Sequence, residues 1–484
     1  MMFPPPFPAA SPTALRNPGV RKSLGPVLMA IGVAVALALG PGAWRPAWGG
    51  DGLILEITWM ALLLLGNHLR LRHQASPSRW LGQARAVRES RWEDPRWAWT
   101  GAFVLSAFFA SFYFAPEIWR PFWRMGEALS QNLRGRPADA WFFYGLLYTL
   151  VVLLGAMRMF QKHRGDAYQI WRTRSVVACQ LIFAFLAPAW LEGWMHPNPS
   201  FSLDIKFFWP LNHTFFEPWH LDAMRASGAL GRVFLVAGIL MFLVVAPWAT
   251  WRWGKGWYCS WMCGCGGLAE TAGDAFRHKS DPRPRAWKWE RWAIYGVLAW
   301  ITLGTGVVLG GYLTGITQPG GIDTYTWFSK PYALVVASLF SGVAGVGFYP
   351  LLGNRFWCRF GCPLAAYMGI FQRFASRFRV ATDGGDCIAC GQCTVQCEMG
   401  IDVRAYALAQ EPVVRAGCVG CGICTSVCPR GVLRLEAEHA TPQEPIEPWP
   451  LAISPNGIVL ERLENPQRPA PAGGGFCNFR APQN

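Results

Sequence analysis

Apolar residues gather in eight runs along the chain, each near the ~20 residues that a helix needs to cross a bilayer. The runs lie near 26–45, 52–70, 97–116, 140–160, 175–195, 229–250, 291–315 and 331–351. The loops between them alternate in charge. Loop 70–96 carries Arg70, Arg72, Arg79, Arg85, Arg88, Arg91 and Arg96. Loop 158–174 carries Arg158, Lys162, Arg164, Arg172 and Arg174, and loop 277–291 is equally basic. Loops 196–228 and 316–330 hold almost no lysine or arginine, and only 117–139, with four arginines, blurs the alternation. Cytoplasmic loops are the basic ones. The pattern therefore predicts an all-α polytopic membrane protein of about eight transmembrane helices, in a bacterial inner membrane, with both termini cytoplasmic. Glu56 sits a turn inside the second run, close enough to its outer end to read as a hydrated interfacial carboxylate. No cleavage site follows the first run, which reads as a retained helix.

Composition sharpens this picture. The 484 residues are 52% hydrophobic, with 27 tryptophans and 31 phenylalanines, as suits aromatic rings anchored at membrane interfaces. The net charge of +15 could suggest nucleic acid, but it is spread over the loops that flank spans. Lipid, and not nucleic acid, is the expected partner. Fifteen cysteines could form a disulfide framework, but their spacing assigns most of them elsewhere.

Cys387, Cys390, Cys393 and Cys397 form one C-x2-C-x2-C-x3-C run, and Cys418, Cys421, Cys424 and Cys428, followed by Pro429, form a second. This spacing wraps thiolates around a cubane [4Fe–4S] cluster, and in two-cluster ferredoxins the fourth cysteine of each run ligates the other cluster. One cluster then takes Cys387, Cys390, Cys393 and Cys428, and the other takes Cys418, Cys421, Cys424 and Cys397. Structural zinc would use C-x2-C pairs too, but gives no reason for a third cysteine at the same interval, twice. Glu398 stands where the first run would ordinarily carry proline. The chain thus divides into a proline-rich, disordered tail at 1–25, a membrane domain at 26–380, a small α+β two-cluster ferredoxin domain at 381–436, and a Pro/Gly-rich tail at 437–484.

A second constellation comes from an internal repeat. WYCSWMCG (Cys259, Cys263) follows the sixth run and FWCRFGCP (Cys358, Cys362, Pro363) follows the eighth, 99 residues later. Residues four apart share a helix face, so each pair is expected to present two sulfurs side by side at the inner end of a span. A pseudo-twofold along the membrane normal would bring the four thiolates into one site, a third iron–sulfur cluster of open nuclearity. Buried packing is the plainer use of such cysteines. Cys265 offers a possible substitute ligand.

The paired C-x3-C motifs ahead of a double ferredoxin motif resemble the NosR/NapH-like membrane polyferredoxins of bacterial anaerobic respiration, over roughly residues 229–435. Cys358 to Pro363 matches that family's C-x3-C-P fully, whereas Gly264 stands in the proline's place after Cys263. The resemblance implies electron transfer between a membrane donor and a respiratory or maturation system.

Absences narrow the chemistry. There is no C-x-x-C-H for c-type haem, and none of the eight histidines lies mid-span to hold a b-type haem. Nucleotide-binding glycine motifs are missing as well. The segment NHTFFEPWH places His213, Glu217 and His220 among Phe215, Phe216 and Trp219. It reads first as an interfacial aromatic belt with solvated histidines, and second as walls for a quinol head. The amphipathic run after Pro363 is expected on the inner membrane surface, tethering the ferredoxin domain. The expected function is an electron-transfer subunit of an oxidoreductase system, relaying electrons between a quinone-linked carrier and a respiratory redox partner. The alternative is a redox regulatory or metalloenzyme maturation protein using the same clusters.

Overall fold

Among the described residues of the computed structural model, seven helices are long and apolar enough to cross a bilayer: Gly52–Leu71, Pro95–Phe114, Ala140–Lys162, Ala167–Trp194, Gly231–Trp253, Pro284–Thr314 and Tyr325–Gly347. The structure describes residues 18–39, 51–74, 91–194, 214–316, 318, 323–382, 387–436, 452–454 and 457–459. The first apolar run forms the helix Pro18–Leu39, but its apolar part, Gly25–Leu37, is shorter than a span. The remainder of that run lies outside the described residues. This helix packs along Asp51–Gln74, and the approach is close. A Cβ on Gly66 would fall 2.7 Å from the Gly25 carbonyl oxygen, so only glycine fits the crossing.

Local chemistry fixes where the spans begin. Asp94, Asp139 and Asp166 each precede a helix and accept a backbone N–H from Arg96, Phe142 and Gln169 respectively. A carboxylate there satisfies donors that have no partner within the helix and faces its positive end. Glu56 does the same work at a distance. It is buried, and its two oxygens accept the Ala128 and Leu129 N–H groups at 2.8 Å each, capping the helix Glu127–Arg134. The hydrated position expected for Glu56 is therefore wrong, because loop 117–139 folds back as short helices against the bundle. The same folding accounts for two of the four arginines there. Arg134 is buried between Asp139 and Glu192, at 2.7 and 2.9 Å, and Arg136 also pairs with both carboxylates.

The run after Pro363 forms the helix Pro363–Phe374, one face of which is buried in the protein. It packs against Pro284–Thr314 and Ala246–Trp253, burying Leu364, Ala365, Ala366, Met368 and Gln372. From there the chain enters the strand Arg379–Thr382, which pairs antiparallel with Leu433–Glu436, Arg379 opposite Glu436 and Thr382 opposite Leu433. This ribbon closes the cysteine-rich module between its two strands. A single apolar core runs from bundle to module and joins Cys259, Ile294, Cys358 and Met368 to Val380, Cys393, Val419 and Leu433. Strands Ala452–Ser454 and Gly457–Val459 make a separate small hairpin.

Candidate functional site

The two cysteine runs of the module fold alike. Gly391 and Gly422, both in left-handed backbone, start the short helices Gln392–Val395 and Ile423–Ser426, which carry Cys393 and Cys424. Folded this way, the runs exchange their fourth cysteines. Cys387, Cys390, Cys393 and Cys428 line one cavity, together with Arg404, Arg430 and Leu433. Cys397 lies instead in the electrostatic field of Cys418, and Cys424 in that of Cys421, Cys418 and Cys397. Burial pushes the Cys397 and Cys421 thiols up to about 12 and Cys418 to about 11. Such thiols stay protonated at neutral pH until a metal takes the proton's place. Among the described residues, no three His, Cys, Asp or Glu side chains converge as one metal ion requires. Four thiols ringing a cavity, with no histidine among them, suit a polynuclear iron–sulfur group.

The second quartet faces the membrane domain, which grips its loop by the backbone. Tyr168 Oη donates to the Gly420 carbonyl at 2.7 Å, and Gln169 Nε2 to that of Cys421 at 2.9 Å. Ser260 Oγ donates to the Val419 carbonyl at 2.9 Å, and Gln372 Nε2 to that of Cys418 at 3.1 Å. The first quartet sits on the opposite side, beside exposed Ile388 and Arg404.

The repeated C-x3-C pairs do not lie on single helices. Cys259 ends the short helix Gly256–Cys259, and Cys263 is the extended residue that opens Gly264–Glu270. Cys358 lies in Phe356–Phe360, and Cys362 opens Pro363–Phe374, its sulfur accepting the Ala365 N–H at 3.4 Å. The expectation of two sulfurs on one helix face is therefore overturned. A residue before proline is pushed out of the α region, so Pro363 forces a corner at Cys362. The first pair turns the same corner without proline: Cys263 N–H donates to the Tyr258 carbonyl just as Cys362 N–H donates to that of Trp357. Gly254 and Gly353 enter the two corners with φ of 70° and 91°. These matched corners bring the pairs together. Cys362 feels the charges of Cys358, Cys259 and Cys263. Cys265 is exposed and within hydrogen-bonding reach of Cys263, which that contact draws down to about 6. Cys179 lies in the Ala167–Trp194 helix, apart from both constellations, and Cys477 is outside the described residues.

Between the corners and the module lies a buried ionic network that the sequence did not announce. Glu398, fully buried, meets Arg277 at 3.2 Å and Arg355 at 3.1 Å. Burial alone would raise the Glu398 carboxyl, but Arg355 and Arg277 outweigh it and hold it down at about 2. Arg355 also pairs with Glu270, which meets Arg172 at 3.0 Å. Arg277 continues to Asp274 at 3.3 Å, and Asp274 to Lys162 at 2.7 Å. Buried ions stand only when paired in this way. The one local clue was Glu398 in a proline's place.

The NHTFFEPWH segment is only partly within the described residues, and His213 lies outside them. Glu217 and His220 are buried, not solvated: His220 Nδ1 sits 3.0 Å from the Phe215 carbonyl oxygen, and Glu217 accepts the Trp219 Nε1–H at 2.5 Å. Burial raises the Glu217 carboxyl and lowers the His220 imidazole.

Residues 386–433 match a family described as a 4Fe-4S dicluster domain, and residues 234–283 and 334–380 each match one described as a 4Fe-4S binding domain. The second family thus falls once on each C-x3-C corner. The chain is similar to the methylamine utilization ferredoxin-type protein MauN of Methylobacillus flagellatus, 25% identical over 47% of this chain and 77% of that protein. It is also similar to MauN of Methylorubrum extorquens, 27% identical over 48% of this chain and 75% of that one. The putative electron transport protein YccM of Escherichia coli is 27% identical over 45% of this chain and 56% of its own length. No solved structure matches. The chain is a multi-pass membrane protein with 4Fe-4S ferredoxin-type domains, and an iron–sulfur electron-transfer protein.

Proposed function

We propose that this protein relays single electrons along three iron–sulfur sites, between a quinone-type carrier in the bilayer and a respiratory redox partner. The observation that carries the proposal is the shared apolar core. Cysteines of all three sets pack into it: Cys259, Cys358 and Cys362; Cys397, Cys418, Cys421 and Cys424; Cys387, Cys393 and Cys428.

In this reading Cys387, Cys390, Cys393 and Cys428 hold one [4Fe–4S] cluster, and Cys397, Cys418, Cys421 and Cys424 the other. Cys259, Cys263, Cys358 and Cys362 hold a third, with Cys265 as the neighbouring spare thiol. Bound there, the clusters would supply one-electron carriers. The protein's part is to fix their order and spacing. Tyr168, Gln169, Ser260 and Gln372 clamp the Cys418–Cys421 loop against the membrane domain. Arg355 reaches from the Cys259 carbonyl, at 2.9 Å, to Glu398 beside Cys397. The outer quartet, beside exposed Arg404 and Ile388, faces the soluble partner. In this reading the module lies on the cytoplasmic side of a bacterial inner membrane, a side that the basic loops support.

Metal analysis of anaerobically purified protein tests the proposal. Three sites imply roughly ten to twelve irons per chain, according to the third cluster's nuclearity. Saturation at about eight irons would remove the membrane-end site. Zinc without iron would defeat the whole reading.

A further inference from the structure

Each corner of the membrane domain carries a buried cation just ahead of its first cysteine. In the second corner it is Arg355, three residues before Cys358, and the carboxylates of Glu270 and Glu398 offset its charge. In the first corner it is Lys255, four residues before Cys259 and only 1% exposed. The corners are 99 residues apart, so the repeat sets Lys255 against Asn354 and Gly256 against Arg355. Asn354 is neutral and donates from Nδ2 to the Ala269 carbonyl at 2.8 Å. The first corner has thus moved its cation back by one position, and Gly256 gives the reason. A Cβ there would fall 2.6 Å from the Val419 carbonyl oxygen, so a side chain at 256 would keep the Cys418–Cys421 loop from seating.

Lys255 is anchored between two cysteine sets. Its carbonyl accepts the Cys259 N–H at 3.0 Å, and its own N–H donates to Gln372 Oε1 at 2.6 Å. Gln372 in turn donates to the Cys418 carbonyl at 3.1 Å. The lysine's charge reaches one sulfur of each set. Burial pushes the Cys259 thiol up to about 12 and the Cys418 thiol up to about 11, and Lys255 pulls against both. Unlike Arg355, it has no carboxylate of its own: among the described residues none pairs with its ammonium. Glu290 lies within its electrostatic range but is engaged by Arg359 at 3.2 Å. A buried ammonium without an anion is costly. Clusters held by four thiolates are anions, and added negative charge is what sets their potentials down. The two sites beside Lys255 therefore supply the anion that the protein chain does not.

We infer that Lys255 is the shared counter-charge of the two membrane-side sites, Cys259, Cys263, Cys358 and Cys362 on one side and Cys397, Cys418, Cys421 and Cys424 on the other, and holds their reduction potentials up together. The inference rests on the electron-transfer reading above and gives one residue control of the step between the membrane corner and the module. In either direction one electron enters or leaves a site, and Lys255 keeps its proton. Because one ammonium serves both sites, their potentials move in step. The outer quartet of Cys387, Cys390, Cys393 and Cys428, which lines a separate cavity beside Arg404 and Arg430, does not depend on it.

The test is a redox titration of the full-length, iron-loaded protein in detergent, with dithionite as the reductant and each site followed by its paramagnetic signal. Lys255→Met keeps the apolar stem and removes the charge. It should make reduction of both membrane-side sites at least tenfold less favourable, about 59 mV lower for one electron, and leave the outer cluster within roughly threefold of the parent. Lys255→Arg restores the charge and should return both potentials toward the parent's, which a loss of packing alone would not do. Unmoved potentials, a shift at only one of the two sites, an equal fall at all three, or a fall that Lys255→Arg does not reverse overturns the inference. Where Lys255→Met fails to hold its iron, Lys255→Gln is titrated with the same fall expected, and iron lost from both neutral variants makes the lysine a structural residue and overturns the inference too. Three signals that the variants leave in place refute the role of Lys255 alone, whereas a parent protein without iron refutes the relay itself.

Discussion

Arg355 touches both cysteine-bearing regions of the chain, with Nη2 3.1 Å from Glu398 and Nη1 3.9 Å from the Cys358 sulfur. Glu398 follows Cys397 directly, so a single guanidinium spans the step from membrane corner to ferredoxin module. Both side chains are fully buried, which makes their pairing obligatory: removing one partner of a buried pair costs about 3–5 kcal/mol because the other charge is stranded. Glu398→Pro restores the residue that this motif usually carries, yet it should destabilise the protein by that amount. Thermal unfolding in detergent checks it, and an unchanged midpoint would mean the network is not holding the module in place.

A smaller effect is expected at Ala389, which sits in left-handed backbone at φ 53° where the second run has Gly420 at φ 62°. An L-residue there costs roughly 1–2 kcal/mol, and glycine recovers most of this at some cost in unfolded-state entropy. Ala389→Gly should therefore raise stability by up to about 1 kcal/mol. Gly420→Ala should lower it, since its Cβ would also press within 3.0 Å of Phe378. Equal unfolding midpoints for both variants and the parent would contradict this.

The fate of particular residues shows what the sequence could reveal. The two module runs were legible because a cluster dictates a short, repeated spacing, and that spacing survives in any context. The spans were legible because a bilayer dictates length. The corner at Cys362 is also written in the sequence, in Pro363, whose steric effect on the residue before it overrides the helix that the four-residue spacing suggests. Of the network of Lys162, Arg172, Glu270, Asp274, Arg277, Arg355 and Glu398, only Glu398, in a proline's place, left a mark in the sequence. Its other members come from separate segments, and each alone looks like an ordinary charge. Only tertiary packing makes them one object.

Acid should loosen the end of the helix Ala140–Lys162 through His163. It is buried after Lys162, and burial first, then the Lys162 charge, lowers its imidazole to about 3. The unfolded chain's histidine takes its proton near pH 6.5, while the folded one stays neutral to a much lower pH. The unfolded state then binds more protons between these values, so stability rises with pH and is lost as pH falls from 6.5 toward 3. The contribution approaches about 1.4 kcal/mol per pH unit in mid-window. His163→Asn should unfold with a shallower acid slope between pH 6 and 4. An unaltered slope would place His163 in solvent-like surroundings.

The last prediction separates the cysteine sets. The corners at Cys259–Cys263 and Cys358–Cys362 come from different spans, and the structure sets them against each other, with Cys362 in the field of Cys259 and Cys263. If they share one cluster, Cys259→Ser and Cys362→Ser should abolish the same paramagnetic signal in the reduced protein. The signals of the module should survive both changes, because its eight cysteines lie beyond the corners and are closed off by the Arg379–Thr382 and Leu433–Glu436 ribbon. Electron flow from a membrane donor to the module should stop in both variants, while direct reduction of the module continues. Cys265→Ser is the informative control. Cys265 is exposed and touches Cys263, so its loss should shift the signal's shape without removing it. Low-temperature paramagnetic resonance reads all of these outcomes. If Cys259→Ser and Cys362→Ser remove different signals, the corners do not share a site. If Cys265→Ser removes the signal and Cys263→Ser spares it, Cys265 is the ligand and the matched geometry of Cys263 and Cys362 is incidental.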